Sequence, residues 1–188
     1  MKLVVGLGNP GREYERTRHN LGFDVLEELA RRFFAPAAKL KHDASLTEVQ
    51  IGREKVLLAA PQTFMNLSGR SVRQIVDFYK IPLSDILLIC DDLALPTAKL
   101  RLRGSGTAGG QKGLQNTIDQ LGSNQFARLR IGIDRPRPGF DTSDYVLGRF
   151  NKPDREKIET AIQLAADAVE QWTVEGLDAA MNRVNSAP

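Results

Sequence analysis

Apolar and polar residues alternate along this chain in short blocks, and the period of each block predicts an element. Lys2 to Leu7 has the length of a buried strand and is closed by the turn Gly8-Asn9-Pro10-Gly11, after which polar residues run to His19. A helix is expected from about Asn20, because Val25, Leu26, Leu29 and Phe33 recur at helical spacing and Pro36 lies just beyond. Ser45 to Ile51 and Lys55 to Ala60 read as two strands joined in hairpin fashion through Gly52-Arg53-Glu54. The loop Pro61 to Gly69 leads to a second helix with Val72, Ile75, Val76 and Tyr79 on one face, stopped by Pro82.

Ile86 to Cys90 is the most apolar stretch and reads as a central strand ending in Asp91-Asp92. Lys99 to Arg103 alternates charged and apolar residues, as a half-exposed strand does. Five glycines lie between Gly104 and Gly113, followed by a helix from Leu114 to about Leu121 and a strand from Arg128 to Ile133. Arg135-Pro136-Arg137-Pro138-Gly139 forms a rigid basic loop. From about Pro153 to near Val184 the pattern is helical, with Ile158, Ala161, Ile162, Ala165, Ala168, Val169 and Trp172 inward and a break at Gly176. Strands and helices mixed throughout, without repeat or linker, predict an α/β fold: one domain over residues 1–188, a three-layer sandwich with a twisted mixed sheet between helices.

Composition narrows the function. At 188 residues, 41% apolar and 26% charged, the chain suits one compact domain. No run approaches the ~18 apolar residues of a membrane helix. The N-terminus turns glycine-rich too early for a secretory signal, so a cytoplasmic address is expected. Cys90 is the single cysteine and closes an apolar run, which favours a buried strand residue over a nucleophile. One cysteine and two distant histidines cannot supply a zinc site, so no metal is expected. A net charge of +3 matters only if the basic residues cluster.

Gly6-Leu7-Gly8-Asn9-Pro10-Gly11 matches the dinucleotide fingerprint GxGxxG and follows a strand. In that fingerprint a helix starts at the glycines, so that its amides meet a pyrophosphate; here about nine residues intervene, and no nucleotide cofactor is expected. The later glycine loop lacks phosphate-loop spacing. It is either a flexible connection or a backbone surface that a bulky ligand approaches closely.

Ligands of open α/β sheets bind beyond the carboxyl ends of the strands, where Asn9, Asn66 and Asp91 all fall. His19 is the natural proton acceptor near neutral pH; its one rival, His42, lies in the charged segment Lys39 to Asp43 and reads as solvent-exposed. A histidine, an aspartate and two asparagines suggest a base, its orienter and donors for a polarised carbonyl. The plainer alternative is that Asn9 and Asp91 only cap turns.

These residues belong to longer segments. Gly6-Leu7-Gly8-Asn9-Pro10-Gly11, Tyr14, Thr17-Arg18-His19-Asn20 and Thr63-Phe64-Met65-Asn66-Leu67-Ser68-Gly69 resemble the signatures of bacterial-type peptidyl-tRNA hydrolase. Asp91 with Leu93 and Leu95-Pro96, the glycine loop, and Phe126 to Ile133 continue the likeness in order across the whole chain. The resemblance implies a monomeric α/β hydrolase with a seven-stranded mixed sheet, acting on the ester between a peptide and the terminal ribose of tRNA. It implies further that His19 activates water and Asp91 orients its ring, and that Asn9 distinguishes blocked from free aminoacyl groups. Tyr14, Phe64 and Asn66 would line the cleft for the peptide and the CCA end, with Met65 packed beside the base. An ester leaves easily enough that one activated water suffices, which requires neither metal nor covalent serine.

The chain departs from the family where Gly-Gly-His-Asn-Gly is common and Gly109-Gly110-Gln111-Lys112-Gly113 stands here. Lys112 offers donors and a charge but no acceptor, so its substrate contact must differ, an acceptor-stem phosphate being one candidate. Cys90 and Ala94 also depart, at positions where a histidine and an acid are frequent. Lys99, Arg101 and Arg103 on one strand and Arg128 and Arg130 on another would form a basic stripe if the strands are neighbours. By resemblance Arg103 and Arg130 clamp the 5′ phosphate of the acceptor stem, a contact that holds without reading sequence. Two alternatives stay open: a non-hydrolytic RNA-binding relative, suggested by Gln111-Lys112 and the stripe, and a generic small-ester hydrolase, disfavoured by the lack of a GxSxG serine elbow.

Overall fold

A computed structural model describes residues 1–188. Seven strands form one mixed sheet: β1 (Lys2–Gly6), β2 (Lys39–Lys41), β3 (Ala44–Ile51), β4 (Glu54–Pro61), β5 (Ile86–Asp92), β6 (Leu100–Arg103) and β7 (Ala127–Gly132), in the order β2-β3-β4-β1-β5-β7-β6. The four inner strands run parallel, and the hairpin β2-β3 and strand β6 add antiparallel edges. Helices α1 (Leu21–Arg32), α5 (Lys152–Glu175) and α6 (Leu177–Ser186) cover one face, packing Val25, Leu29, Ile162, Val169 and Val184 on Val4, Leu58, Leu87 and Leu129. Helices α2 (Ser68–Tyr79) and α3 (Lys112–Leu121) cover the other, with Val72, Ile75 and Leu114 on Leu3, Val5, Leu57 and Leu88. The expected three-layer sandwich is therefore the observed one.

Every residue of β5 is buried, as its unbroken apolar run predicts for a strand covered on both faces. The sheet carries α1 unusually close. A Cβ built on Gly22 would lie 2.3 Å from Leu7 N and 2.6 Å from Ile89 O, and one on Gly6 would lie 2.2 Å from Gly22 O. Two facing glycines let the first turn of α1 touch the backbone where β1 and β5 end, which sets the turn just before that helix at the mouth of the sheet. Farther along α1, Asp24 reaches Arg155 of α5 at 3.2 Å; burial pushes its carboxyl up to about 6 against the pull of that guanidinium.

Four elements differ from the sequence reading. Lys39 to Lys41 is an edge strand, a short and charged one of the kind that resists further pairing. His42 is not solvent-exposed but half-buried, its ring centroid 4.7 Å from that of Phe78 and 6.0 Å from that of Tyr79. The tight turn between β2 and β3 folds it back onto α2, where Ser71 Oγ donates to its carbonyl at 2.7 Å. A five-residue helix, α4 (Thr142–Val146), follows the basic loop, too short to show a period. Lys99 lies outside β6, and its Nζ donates to Ala187 O at 2.6 Å.

Gly22→Ala should lower stability by about 1–3 kcal/mol, because added volume in a packed site forces backbone apart. Urea unfolding at fixed pH measures it; a midpoint equal to that of the wild type would contradict the close approach of α1.

Candidate active site

A cleft of about 240 Å³ opens at the carboxyl ends of the parallel strands, between the loop after β4, the glycine loop before α3, and α4. Its lining brings together Asn9, His19, Phe64, Met65, Asn66, Asp91 and Lys112. These positions are far apart in the chain, and the strand ends gather them, as expected of an open α/β sheet.

His19 sits in a 3-10 turn, Arg18–Asn20, immediately before α1. Its Nδ1 lies 2.9 Å from Asp91 Oδ2 and 3.0 Å from Oδ1, and the two side chains are 12% and 3% exposed. A carboxylate accepts only, so Nδ1 carries the hydrogen and donates it, which leaves Nε2 with the free lone pair. This pair could take a proton from a water and hold the resulting imidazolium by the adjacent negative charge.

Asn9 is 7% exposed and its orientation is fixed from both sides. Its Oδ1 accepts from Met65 N–H at 2.7 Å, so its NH2 group is the end left for the cleft. Its own backbone N–H and C=O are both satisfied by the amide of Asn20, at 2.8 and 2.9 Å. Asn20 thus acts as a surrogate peptide group between the β1 turn and the histidine turn, a structural role that its place in the sequence does not reveal. Met65 is buried, Phe64 is 58% exposed at the rim, and Asn66 is exposed beside it.

Gln111, read in the sequence only as a departure, turns out to be part of the site. Its Nε2 donates to Asp91 Oδ1 at 3.0 Å and lies 3.4 Å from Met65 Sδ, while its Oε1 accepts from Leu114 N–H at 2.7 Å. Lys112, the first residue of α3, is exposed on the lining. Tyr14 is not on the lining. It is half-buried in a separate 3-10 turn, Arg12–Tyr14, where its carbonyl accepts from Thr17 Oγ1 at 2.7 Å, and Thr17 bridges away to Arg149. On the far wall, Arg18 lies 4.1 Å from the Tyr145 ring centre and donates to Tyr145 O at 3.1 Å, tying α4 to the histidine turn. The dinucleotide pattern fails structurally as well, since two 3-10 turns separate its glycines from α1.

Strands β6 and β7 are indeed neighbours, pairing Arg101 with Arg130 and Arg103 with Arg128 on one face. The five-residue stripe needs correction, however. Arg128 is 1% exposed, and its guanidinium donates to the carbonyls of Phe126, Gly106, Thr107 and Asn124 at 2.8–3.2 Å. Burial pulls this guanidinium below its ordinary value. With Lys99 also turned away, Arg101, Arg103 and Arg130 remain. Arg130 meets Asp92 Oδ2 at 3.1 Å, and because Asp92 lines the cleft, the basic face begins at the cleft's edge. Cys90 is fully buried and burial pushes its thiol well up, which excludes it as a nucleophile. No three histidine, cysteine, aspartate or glutamate side chains gather as a metal-ligand set.

The sequence pattern of the family described as "Peptidyl-tRNA hydrolase" matches residues 3–188. The chain belongs to the peptidyl-tRNA hydrolase family. Membership makes it a hydrolase. A peptidyl-tRNA hydrolase of Rhodopirellula baltica is 54% identical over 187 residues, covering 100% of this chain and 98% of that one. One of Desulforamulus reducens is 49% identical, covering 98% and 89%. The crystal structure of the peptidyl-tRNA hydrolase from Acinetobacter baumannii superposes with a TM-score of 0.93 at 36% identity, over 99% of this chain and 95% of that one.

Arg128 is a strut for the glycine loop. Arg128→Met should leave carbonyls of that loop unpaired, lower stability by about 1–3 kcal/mol, and speed amide hydrogen exchange over residues 104–111 more than in β5. Exchange unchanged in that loop would remove the strut.

Proposed function

We propose that this chain hydrolyses the ester joining an N-blocked peptide to the terminal ribose of tRNA, releasing free tRNA and peptide. The observation that carries the proposal is the His19 Nδ1 contact to Asp91 inside a cleft at the strand ends. His19 Nε2 removes a proton from a bound water, and the oxygen of that water attacks the ester carbonyl carbon. The tetrahedral intermediate then collapses: the carbon–oxygen bond to the ribose breaks, and the imidazolium returns its proton to the leaving oxygen. No covalent enzyme intermediate and no metal enter these steps.

Asn9 donates its NH2 to the substrate, either to the carbonyl oxygen as it becomes an oxyanion or to the amide carbonyl that marks a blocked amino group. Asn66 is the second donor, and the exposed ring of Phe64 offers a surface on which the CCA end or a side chain stacks. Lys112 contributes a cation at the glycine-loop side of the cleft. Arg103 and Arg130, with Arg101 opposite Arg130 on the neighbouring strand, hold the 5′ phosphate of the acceptor stem; such a contact positions every tRNA alike. Tyr14 can bear on the substrate only from outside the cleft. The whole chain acts as one unit, a monomer at work in the cytoplasm, where this substrate arises. No helix in it is long and apolar enough to cross a membrane.

The test compares N-acetyl-aminoacyl-tRNA with the same aminoacyl-tRNA unblocked, with and without a chelator. Cleavage of only the blocked ester, insensitive to the chelator, is expected. His19→Ala should reduce turnover roughly 10²–10⁴-fold with tRNA binding kept; near-wild-type turnover would remove His19 from the mechanism. Tight tRNA binding with no cleavage of either ester would favour the non-hydrolytic RNA-binding reading. Arg103→Ala should weaken tRNA binding and reduce the slope of log affinity against log salt by about 0.7–0.9, the share of one phosphate. An unchanged slope would sink the clamp.

A further inference from the structure

Gln111 stands between three parts of the site, and its two amide ends face opposite demands. A backbone N–H can meet only an acceptor and a carboxylate only a donor, so the contacts to Leu114 N and Asp91 Oδ1 fix the orientation of the amide. Asp91 is consequently held by two donors from two elements, the His19 ring before α1 and the Gln111 amide at the start of α3. With one donor a carboxylate can turn about its Cβ–Cγ bond. With two its plane is set. Capping alone does not account for the residue: short side chains such as Ser, Thr, Asp and Asn are the favoured helix caps, and the extra length of Gln111 is what spans the distance to Asp91.

We propose that Gln111 is a positioning residue for the His19–Asp91 pair: it fixes the plane of the Asp91 carboxylate, draws off part of its charge, and makes both depend on the first turn of α3. The proposal rests on the hydrolase reading of the cleft. Few other charges face the pair. Asp92 is already paired with Arg130, Lys112 lies at the start of α3, and the Cys90 thiol is buried and stays protonated. The hydrogen bond from Gln111 is thus the nearest influence on the charge that Asp91 presents to the imidazole. It also gives the glycine loop a route to the chemistry, because a shift of α3's first turn pulls on the carboxylate that orients the base.

Two variants separate this role from capping. Gln111→Ser keeps an oxygen for Leu114 N–H but cannot reach Asp91, while Gln111→Glu keeps length and cap acceptor but turns a carboxylate toward Asp91. If Gln111 positions the pair, Gln111→Ser should lower kcat on the order of tenfold with KM within about twofold. The acid limb of kcat/KM should move to higher pH in both variants, by about one unit in Gln111→Glu, because Asp91 then holds the imidazolium proton more strongly. The chain has only two histidines, so ring-proton NMR follows His19 and His42 separately: the His19 titration should move upward and that of His42 should stay. If Gln111→Ser melts far below the wild type, Gln111→Glu, which retains the cap, carries the test. Wild-type pH profiles and an unmoved His19 titration in the folded variants would reduce Gln111 to a helix cap and overturn the proposal. A wild-type chain that cleaves no blocked aminoacyl-tRNA would instead defeat the hydrolase reading, and the NMR titration would still decide whether Gln111 acts on the pair.

Discussion

The carboxylate of Asp91 lies at the end of a strand whose residues are all buried, and a charge in such a place is tolerated only when donors surround it. The surrounding elements supply those donors. The imidazole of His19 arrives from the turn before α1, and the amide of Gln111 from the first turn of α3, each within 3.0 Å. Satisfying one buried carboxylate therefore aligns an imidazole whose other nitrogen is left free. The same requirement links both helical layers of the sandwich to one atom group at the mouth of the sheet.

For the histidine to arrive, α1 must start almost in contact with the sheet, and Gly6 facing Gly22 makes that approach possible. Asn20 then completes the junction by holding both backbone groups of Asn9, whose side chain in turn holds the backbone of Met65. Three asparagine and methionine positions that look like unrelated loop residues thus form one hydrogen-bonded chain under the cleft. Its outcome is an amide NH2 with a fixed direction, which is what recognition of a carbonyl needs.

On the other side, a buried cation supports the opposite wall. Arg128 holds the carbonyls of Gly106 and Thr107 in the glycine loop, whose backbone takes positive φ at Gly106, Gly109 and Gly110. Its neighbours Arg101, Arg103 and Arg130 stay on the accessible part of the same face. Alternating arginines on two paired strands therefore divide between a buried strut and an accessible face, and nothing in the alternation distinguishes the two.

Periodicity alone reached the three layers, the central strand at Ile86, the hairpin at Gly52 and the break at Gly176, because each of these follows from local spacing and from burial on a whole face. Strand-end position already singled out Asn9, Asn66 and Asp91, and the scarcity of histidines His19; segment likeness added the family and the roles it implies. Short or charged elements escaped: β2 and α4 contain too few residues to show a period, and their conformation is set by what they pack against. The partners of polar side chains escaped for a related reason. The half-burial of His42, the cage around Arg128, the withdrawal of Tyr14 from the cleft and the grip of Gln111 on Asp91 are contacts between residues distant in the chain. Sequence by itself determined the long, periodic elements and which residue types reach the strand ends; only the tertiary structure decided the short elements and which of those groups meet, because hydrogen-bond partners are chosen by position in space at about 3 Å, and no local pattern carries that information.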